Sequence, residues 1–203
     1  MLFIYKMNAR KVSHDIENPI DNLLLKFNEK MNPIYKKLNF TPNILTTISF
    51  VVTLIGIYVY YNNYKKINLK IIALILIFVG YYFDCADGNF ARTYKMTSEF
   101  GDFYDHICDN LKFVIMFYAV FKIKSIPMKR KLIASIIIIV FTFLNFVNLG
   151  CQEKIYEKKK KTLKSKTLEP LKMLCFNENL INYVKYFGGG TLFIVIFITL
   201  LLI

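Results

Sequence analysis

Four aspartates between positions 84 and 109 are the residues of this chain best placed to do chemistry. Asp84 and Asp87 are three apart, and Asp105 and Asp109 are four apart, so on helices each pair shares one face. Two such faces brought together would form an oxygen-rich cage for a hard divalent cation, Mg2+ or Mn2+. Without a cation the clustered carboxylates would repel one another. Magnesium keeps coordination positions open for phosphate oxygens, so a bound diphosphate would suit the cage. Gly88 and Gly101 sit beside the pairs and would let a ligand or a neighbouring helix come close. Arg92 can pair with phosphate or with an aspartate. Asp109 could instead keep a free carboxylate and act as general base on an alcohol.

The elements that must hold these residues are membrane helices. The 203 residues are 55% hydrophobic, with mean hydropathy +0.39, and the apolar residues come in long blocks bounded by charge. The pattern predicts an all-α, multi-pass bundle forming one membrane-embedded catalytic domain over 1–203. Ile20, Leu24, Phe27, Met31 and Ile34 recur at helical spacing among lysines, which predicts an amphipathic interfacial helix over 16–38. Thr41-Pro42 is a helix start. Five spans follow, at about 43–61, 68–91, 100–121, 131–150 and 184–203, the first three forming the catalytic core over 43–122. Residues 151–183 read as a basic loop and an amphipathic segment, and 168–183 would make a sixth span if they cross. Gly188-Gly189-Gly190 should loosen or kink the start of the last span.

Twenty-seven basic against 14 acidic residues give a net charge of +13. In a membrane chain this favours anionic lipid headgroups over nucleic acid. The basic N-terminal region, the Arg92–Lys95 turn and the Lys158–Lys161 run share one side if four spans precede that run, and positive-inside bias makes that side cytosolic. Lys65, Lys66, Lys129, Arg130 and Lys131 fall on the other side and oppose this reading. The start does not read as a cleaved signal peptide. None of the cysteines at 85, 108, 151 and 175 forms a C-x-x-C pair, and a disulfide is not expected if the site faces the cytosol.

The full pattern is D-x-x-D-G-x-x-A-R-x8-G-x3-D-x3-D, from Asp84 through Gly88, Ala91, Arg92 and Gly101 to Asp109. It resembles the signature of the CDP-alcohol phosphotransferase family. Pro42-Asn43-Ile44-Leu45-Thr46 is similar to the P-N-x-x-T that opens the family's first membrane helix. The resemblance implies a membrane enzyme, commonly a homodimer with six spans per subunit. Such enzymes transfer a substituted phosphoryl group from a CDP-linked donor to an alcohol and release CMP. It implies that Asp84, Asp87 and Asp105 bind metal and nucleotide. Asp109 would be the catalytic base and also a metal ligand, while Gly88, Ala91, Arg92 and Gly101 would line the nucleotide pocket. Asn43 and His106 are further pocket candidates. The membrane would be the endoplasmic reticulum in a eukaryote and the inner membrane in a bacterium.

Two substrate arrangements stay open. Asp105-His106-Ile107-Cys108-Asp109 resembles the D-H-x-x-D of choline and ethanolamine phosphotransferases, which leans the reading toward a CDP-choline or CDP-ethanolamine donor with diacylglycerol as acceptor. Against this, His106 is about 100° around a helix from Asp105 and would point away from the metal face. The alternative is CDP-diacylglycerol donating to a small polar alcohol such as inositol, serine or glycerol phosphate. A cation transporter using the same carboxylates is a more remote reading. It predicts polar partners in other spans, and the last span offers almost none.

Overall fold

The computed structural model describes residues 10–159 and 168–203, and its secondary structure there is helical. Asn18 caps α1 (Pro19–Lys37), its side chain accepting from the amides of Ile20 and Asp21. Thr41 caps α2 (Pro42–Asn63) by accepting from Ile44, with Pro42 at the first helical position. A three-residue link leads to α3 (Ile67–Tyr94). Lys95 ends that helix in the left-handed region at φ 57°, and Ser98 caps α4 (Glu99–Lys122) by accepting from Gly101. This short turn returns α4 antiparallel to α3. The chain continues as α5 (Met128–Lys159), short 3₁₀ turns at Glu169–Leu174 and Glu178–Leu180, α6 (Ile181–Val184), a third turn at Lys185–Phe187, and α7 (Gly189–Leu202).

The first four expected spans are continuous helices, and the fifth, expected over 184–203, is α-helical from Gly189 after a 3₁₀ turn and an extended Gly188. Four segments, 42–63, 67–94, 128–156 and 178–202, are long and apolar enough to cross a membrane. The third expected span, α4, is long enough, but its carboxylates and lysines lower its apolar character. Residues 168–183 do not form a sixth span, because they break into 3₁₀ turns and a four-residue helix. The basic loop expected from Glu153 is helical as far as Lys159, and residues 160–167, with the rest of the lysine run, lie outside the described residues.

Leu74, Ile77, Met116, Val120, Leu192 and Ile196 from α3, α4 and α7 interlock in the main core. Gly80 lets α3 approach α2 closely: a Cβ there would stand 3.0 Å from the Ser49 carbonyl oxygen and would overlap the Thr53 hydroxyl. The glycine run at 188–190 interrupts the start of the last span, as expected, after the 3₁₀ turn at Lys185–Phe187. Gly188 stands before α7 in extended backbone, and Gly190 lies where a Cβ would come within 2.6 Å of Asp21 Oδ1. These glycines make room for α1.

Helix α1 is two-faced in a way the apolar spacing only half reveals. Leu23, Phe27 and Ile34 are exposed, as suits a lipid-facing surface. The buried stripe is Asp21, Leu25, Asn28, Asn32 and Tyr35, which is mostly polar. Asn32 Nδ2 donates to Asn89 Oδ1 at 2.7 Å and to Thr93 Oγ1 at 3.0 Å on α3.

Contacts sort the loops to two ends. Asn18 donates to the Lys185 carbonyl at 2.8 Å, Gln152 to Glu17 at 3.1 Å, and Lys11 pairs with Glu153 at 2.6 Å, so the starts of α1 and α7 share one end with the last turns of α5. At the opposite end Tyr60 donates to the Leu200 carbonyl and Lys70 to the Leu201 carbonyl, each at 2.8 Å. Lys131 is buried there and donates to the Phe121 carbonyl at 2.7 Å. Lys70 and Lys131 therefore satisfy the last carbonyls of α7 and α4.

The cysteines correct one expectation. Cys151 and Cys175 form a disulfide that fastens the segment after the first 3₁₀ turn to α5, their Cα atoms being 5.0 Å apart. Cys85 and Cys108 are free. A labelling experiment can keep this disulfide and replace Cys85 and Cys108 alone. Single cysteines at Lys95 and Lys129 are then expected to react with an impermeant thiol reagent from opposite faces of sealed vesicles. Labelling from the same face would contradict the helix order.

Candidate active site

The two aspartate pairs meet across the α3–α4 junction. Lys112 on α4, largely missed in the sequence, sits between them. Its Nζ lies 2.6 Å from Asp84 Oδ1, 2.7 Å from Asp109 Oδ1 and 3.1 Å from Ser49 Oγ. Only 6% of Lys112 is exposed. An ammonium at this depth is costly unless charge and hydrogen bonds hold it, and here both do. Thr46 on α2 donates to Asp87 Oδ2 at 2.5 Å, while its neighbour Ser49 reaches Asp84 Oδ1 at 3.4 Å. The α2 end thus positions both α3 carboxylates.

Asp105 Oδ1 is buried and has no hydrogen-bond partner. One ligand atom each from Asp105, His106 and Asp109 lies within 4.8 Å of the others, a spacing that could hold a metal ion. An orphaned carboxylate oxygen beside further oxygen donors is chemistry that suits a hard divalent cation. His106 is a pocket candidate from the sequence, against the reading that it points away from the metal face. It lines the same cavity, and its Nε2 lies 3.5 Å from Asp102 Oδ1 on the preceding turn.

A cavity of about 960 Å³ opens over this cluster. Gly88, Ala91, Arg92, Gly101 and Asn43 line it with the four aspartates, so every residue nominated from the sequence reaches one space. A Cβ on Gly88 would stand 3.1 Å from Arg92 Nη1, so the missing side chain leaves that guanidinium room above the helix. Asn43 Oδ1 would lie 3.2 Å from a Cβ on Gly101, which ties the α2 start to the α4 start.

The far wall went unread in the sequence. Asn145, Asn148 and Gln152 of α5 stand at successive turns and line the cavity, and Gln152 donates to Glu17. The Oδ1 atoms of Asn145 and Asn148 are buried without partners. Three amides in an otherwise apolar helix were the available signal. Burial raises Glu17 above the usual carboxylate range. Burial also pushes Asp21 up to about 7, against the stabilising 2.5 Å hydrogen bond from Tyr81.

Asp21 lies in α1, outside the spans, and its shift gives a pH dependence. The folded state binds the proton more tightly than the unfolded chain, so the stability from protonation is complete below pH 3.8 and is lost as pH rises through 7. Asp21→Asn should therefore leave the unfolding midpoint near that of the wild type at pH 4 and raise it at pH 8. Parallel midpoint curves from pH 4 to pH 8 would contradict a buried, proton-binding Asp21.

Comparison with known proteins agrees with this geometry. The family described as CDP-alcohol phosphatidyltransferase matches residues 39–202. An archaetidylinositol phosphate synthase of Pyrococcus horikoshii is 36% identical over 83 residues, which is 41% of this chain and 42% of that protein. The chain thus spans less than half the length of the curated relative it matches. No solved structure matches.

Proposed function

Because the chain belongs to the CDP-alcohol phosphatidyltransferase family, whose match runs over residues 39–202, we propose that its aspartate cluster transfers a phosphatidyl-type group from a CDP-linked lipid to a small polar alcohol of the inositol class, releasing CMP. The observation that carries the reaction is the convergence of Asp84, Asp87, Asp105 and Asp109 with Gly88, Ala91, Arg92 and Gly101 on one cavity.

The choice of donor rests on two findings. The relative's name describes an inositol-phosphate lipid product, which favours the CDP-lipid arrangement over the CDP-choline arrangement. The histidine that favoured the aminoalcohol reading is grouped with Asp105 and Asp109 at a spacing that could hold a metal ion, a place that calls for no choline headgroup. The cavity suits a polyol, since Asn145 and Asn148 line it and their buried Oδ1 atoms have no hydrogen-bond partner.

In the proposed reaction Asp84, Asp87 and Asp105 hold the divalent cation, which when bound would offset the diphosphate charge. Gly88 admits the diphosphate backbone close to α3, and Arg92 lies where it can pair with phosphate oxygens. Asp109, on the adjoining turn of α4, accepts the alcohol proton. The alcohol oxygen then forms the new bond to phosphorus, and the phosphorus–oxygen bond to CMP breaks. Lys112 Nζ, 2.7 Å from Asp109 Oδ1, positions this carboxyl in the cavity. The expected setting is the cytosolic face of an integral membrane, in a homodimer.

The substrate reading is tested by supplying purified protein with Mg2+ and either donor arrangement. With CDP-diacylglycerol or CDP-archaeol, radiolabelled inositol or inositol phosphate should enter the lipid fraction. With CDP-choline and diacylglycerol, no labelled lipid should form. The reverse pattern would overturn the donor assignment.

A further inference from the structure

We propose that the Cys151–Cys175 disulfide is a redox latch. Closed, it holds residues 168–176 against α5 as a strap beside the acceptor side of the cavity; reduction to two thiols releases the strap and weakens acceptor binding. This rests on the reading of the cavity as a CDP-alcohol transfer site that opens to the cytosol.

The strap has little of its own to hold it. The turn Glu169–Leu174 buries none of its residues, and Met173 and Phe176 on either side of it are exposed. A segment with so little apolar burial opens locally at small cost unless something else fastens it. The disulfide is the covalent fastener. Lys154 of α5 adds a hydrogen bond to the Cys175 carbonyl at 2.9 Å. Gly150, one residue before Cys151, admits the strap's backbone, since a Cβ there would overlap the Leu171 carbonyl. The strap also reaches the cavity. Leu168 lines it, together with Gln152, Glu153 and Tyr156 from the same stretch of α5. Gln152 donates to Glu17 at 3.1 Å and Glu153 pairs with Lys11 at 2.6 Å, so the turn that carries Cys151 also ties the chain before α1 to α5. Asn145 and Asn148, which suit the acceptor, stand on the two turns before it. Gly88, Ala91, Arg92 and Gly101 belong to α3 and α4, whereas the strap packs on α5, so its release should reach the acceptor side and spare the nucleotide side. Location completes the case. Lys70 near the start of α3 meets the end of α7, so α3 carries its aspartates to the end where the disulfide lies. On a cytosolic face thiols are kept reduced, and the disulfides that do form there are usually redox-sensing or catalytic. The thiolate of a cellular dithiol would attack one sulfur when the strap opens, giving a mixed disulfide. The second thiol of the dithiol then displaces the remaining cysteine. Cys151 and Cys175 are left as thiols and the dithiol as its own disulfide.

The test compares the intact protein in detergent, oxidised and after reduction with dithiothreitol, with the double variant Cys151→Ser, Cys175→Ser. Alkylation of the denatured, unreduced protein should label two cysteines, Cys85 and Cys108, and all four after reduction. Hydrogen exchange of peptides spanning 168–176 should quicken on reduction, while peptides from α3 and α4 keep their rates. In the transfer assay, reduction should raise the KM for the inositol acceptor by roughly tenfold, with kcat and CDP affinity little changed, the pattern of lost ground-state binding. The double variant should match the reduced protein and no longer respond to dithiothreitol. Four labelled cysteines before reduction, unchanged exchange over 168–176, or an unchanged acceptor KM would each overturn the latch. If no acceptor turns over in either state, the proposed function fails, and the exchange comparison still decides the latch. If the double variant does not fold, the reduced wild type gives the same comparison.

Discussion

Asp109→Asn is expected to lower turnover by roughly 10²- to 10⁴-fold, the range over which a positioned general base acts. The substitution keeps the size of the side chain and loses the proton acceptor. Asp109 sits on α4 three residues before Lys112, with Oδ1 held by that ammonium. An asparagine there can still offer its amide oxygen to Lys112, and Asp84 remains as the second partner at 2.6 Å. Binding of a CDP-linked donor should therefore change little. Asp87→Asn should do the opposite, because Asp87 is buried beneath the cavity and is set by Thr46 as a ligand. Calorimetric titration of both variants with CDP and Mn2+ separates the roles. Equal loss of binding in the two variants would make Asp109 a ligand first and a base second.

Removal of divalent metal is expected to lower CMP release by roughly 10³-fold or more, since the ion contributes several kcal/mol of charge stabilisation. Activity should return with Mg2+ or Mn2+ and not with Ca2+, whose longer, looser coordination fits a phosphate clamp poorly. Lys112 alone carries one positive charge, which does not balance four carboxylates and a diphosphate. Turnover that persists undiminished in excess chelator would show that Lys112 and Arg92 carry the whole charge burden, and the metal role of Asp105 would fall.

The two pairs were legible because they depend only on helical spacing. Three- and four-residue intervals put Asp84 with Asp87 and Asp105 with Asp109 on common faces before any packing is known. The start of α2 was legible for the same reason, since Thr41 and Pro42 act within a single turn. What was not legible depends on which faces meet. Lys112 is visibly three residues from Asp109, but its bond to Asp84 exists only once α3 and α4 are both packed against α2. Its signal was a lysine alone in the apolar run after Leu111. The amides of Asn145, Asn148 and Gln152 went unread because only the packing of α5 brings them to the cavity. In α1 the apolar stripe drew the assignment to lipid, while the polar stripe from Asp21 to Tyr35 turned inward to line and brace the site. The disulfide joins residues 24 apart across a segment whose fold periodicity could not reveal.

The central claim is that this carboxylate site exchanges CMP for an alcohol on a lipid phosphate. Its most direct measurement counts CMP against labelled lipid product in one reaction vessel, with the protein, Mg2+, a CDP-linked lipid and radiolabelled inositol or inositol phosphate. The account predicts that one CMP appears for each new lipid headgroup, and that both signals vanish together in Asp109→Asn. Labelled lipid without CMP, or CMP release with water as the only acceptor, would contradict it.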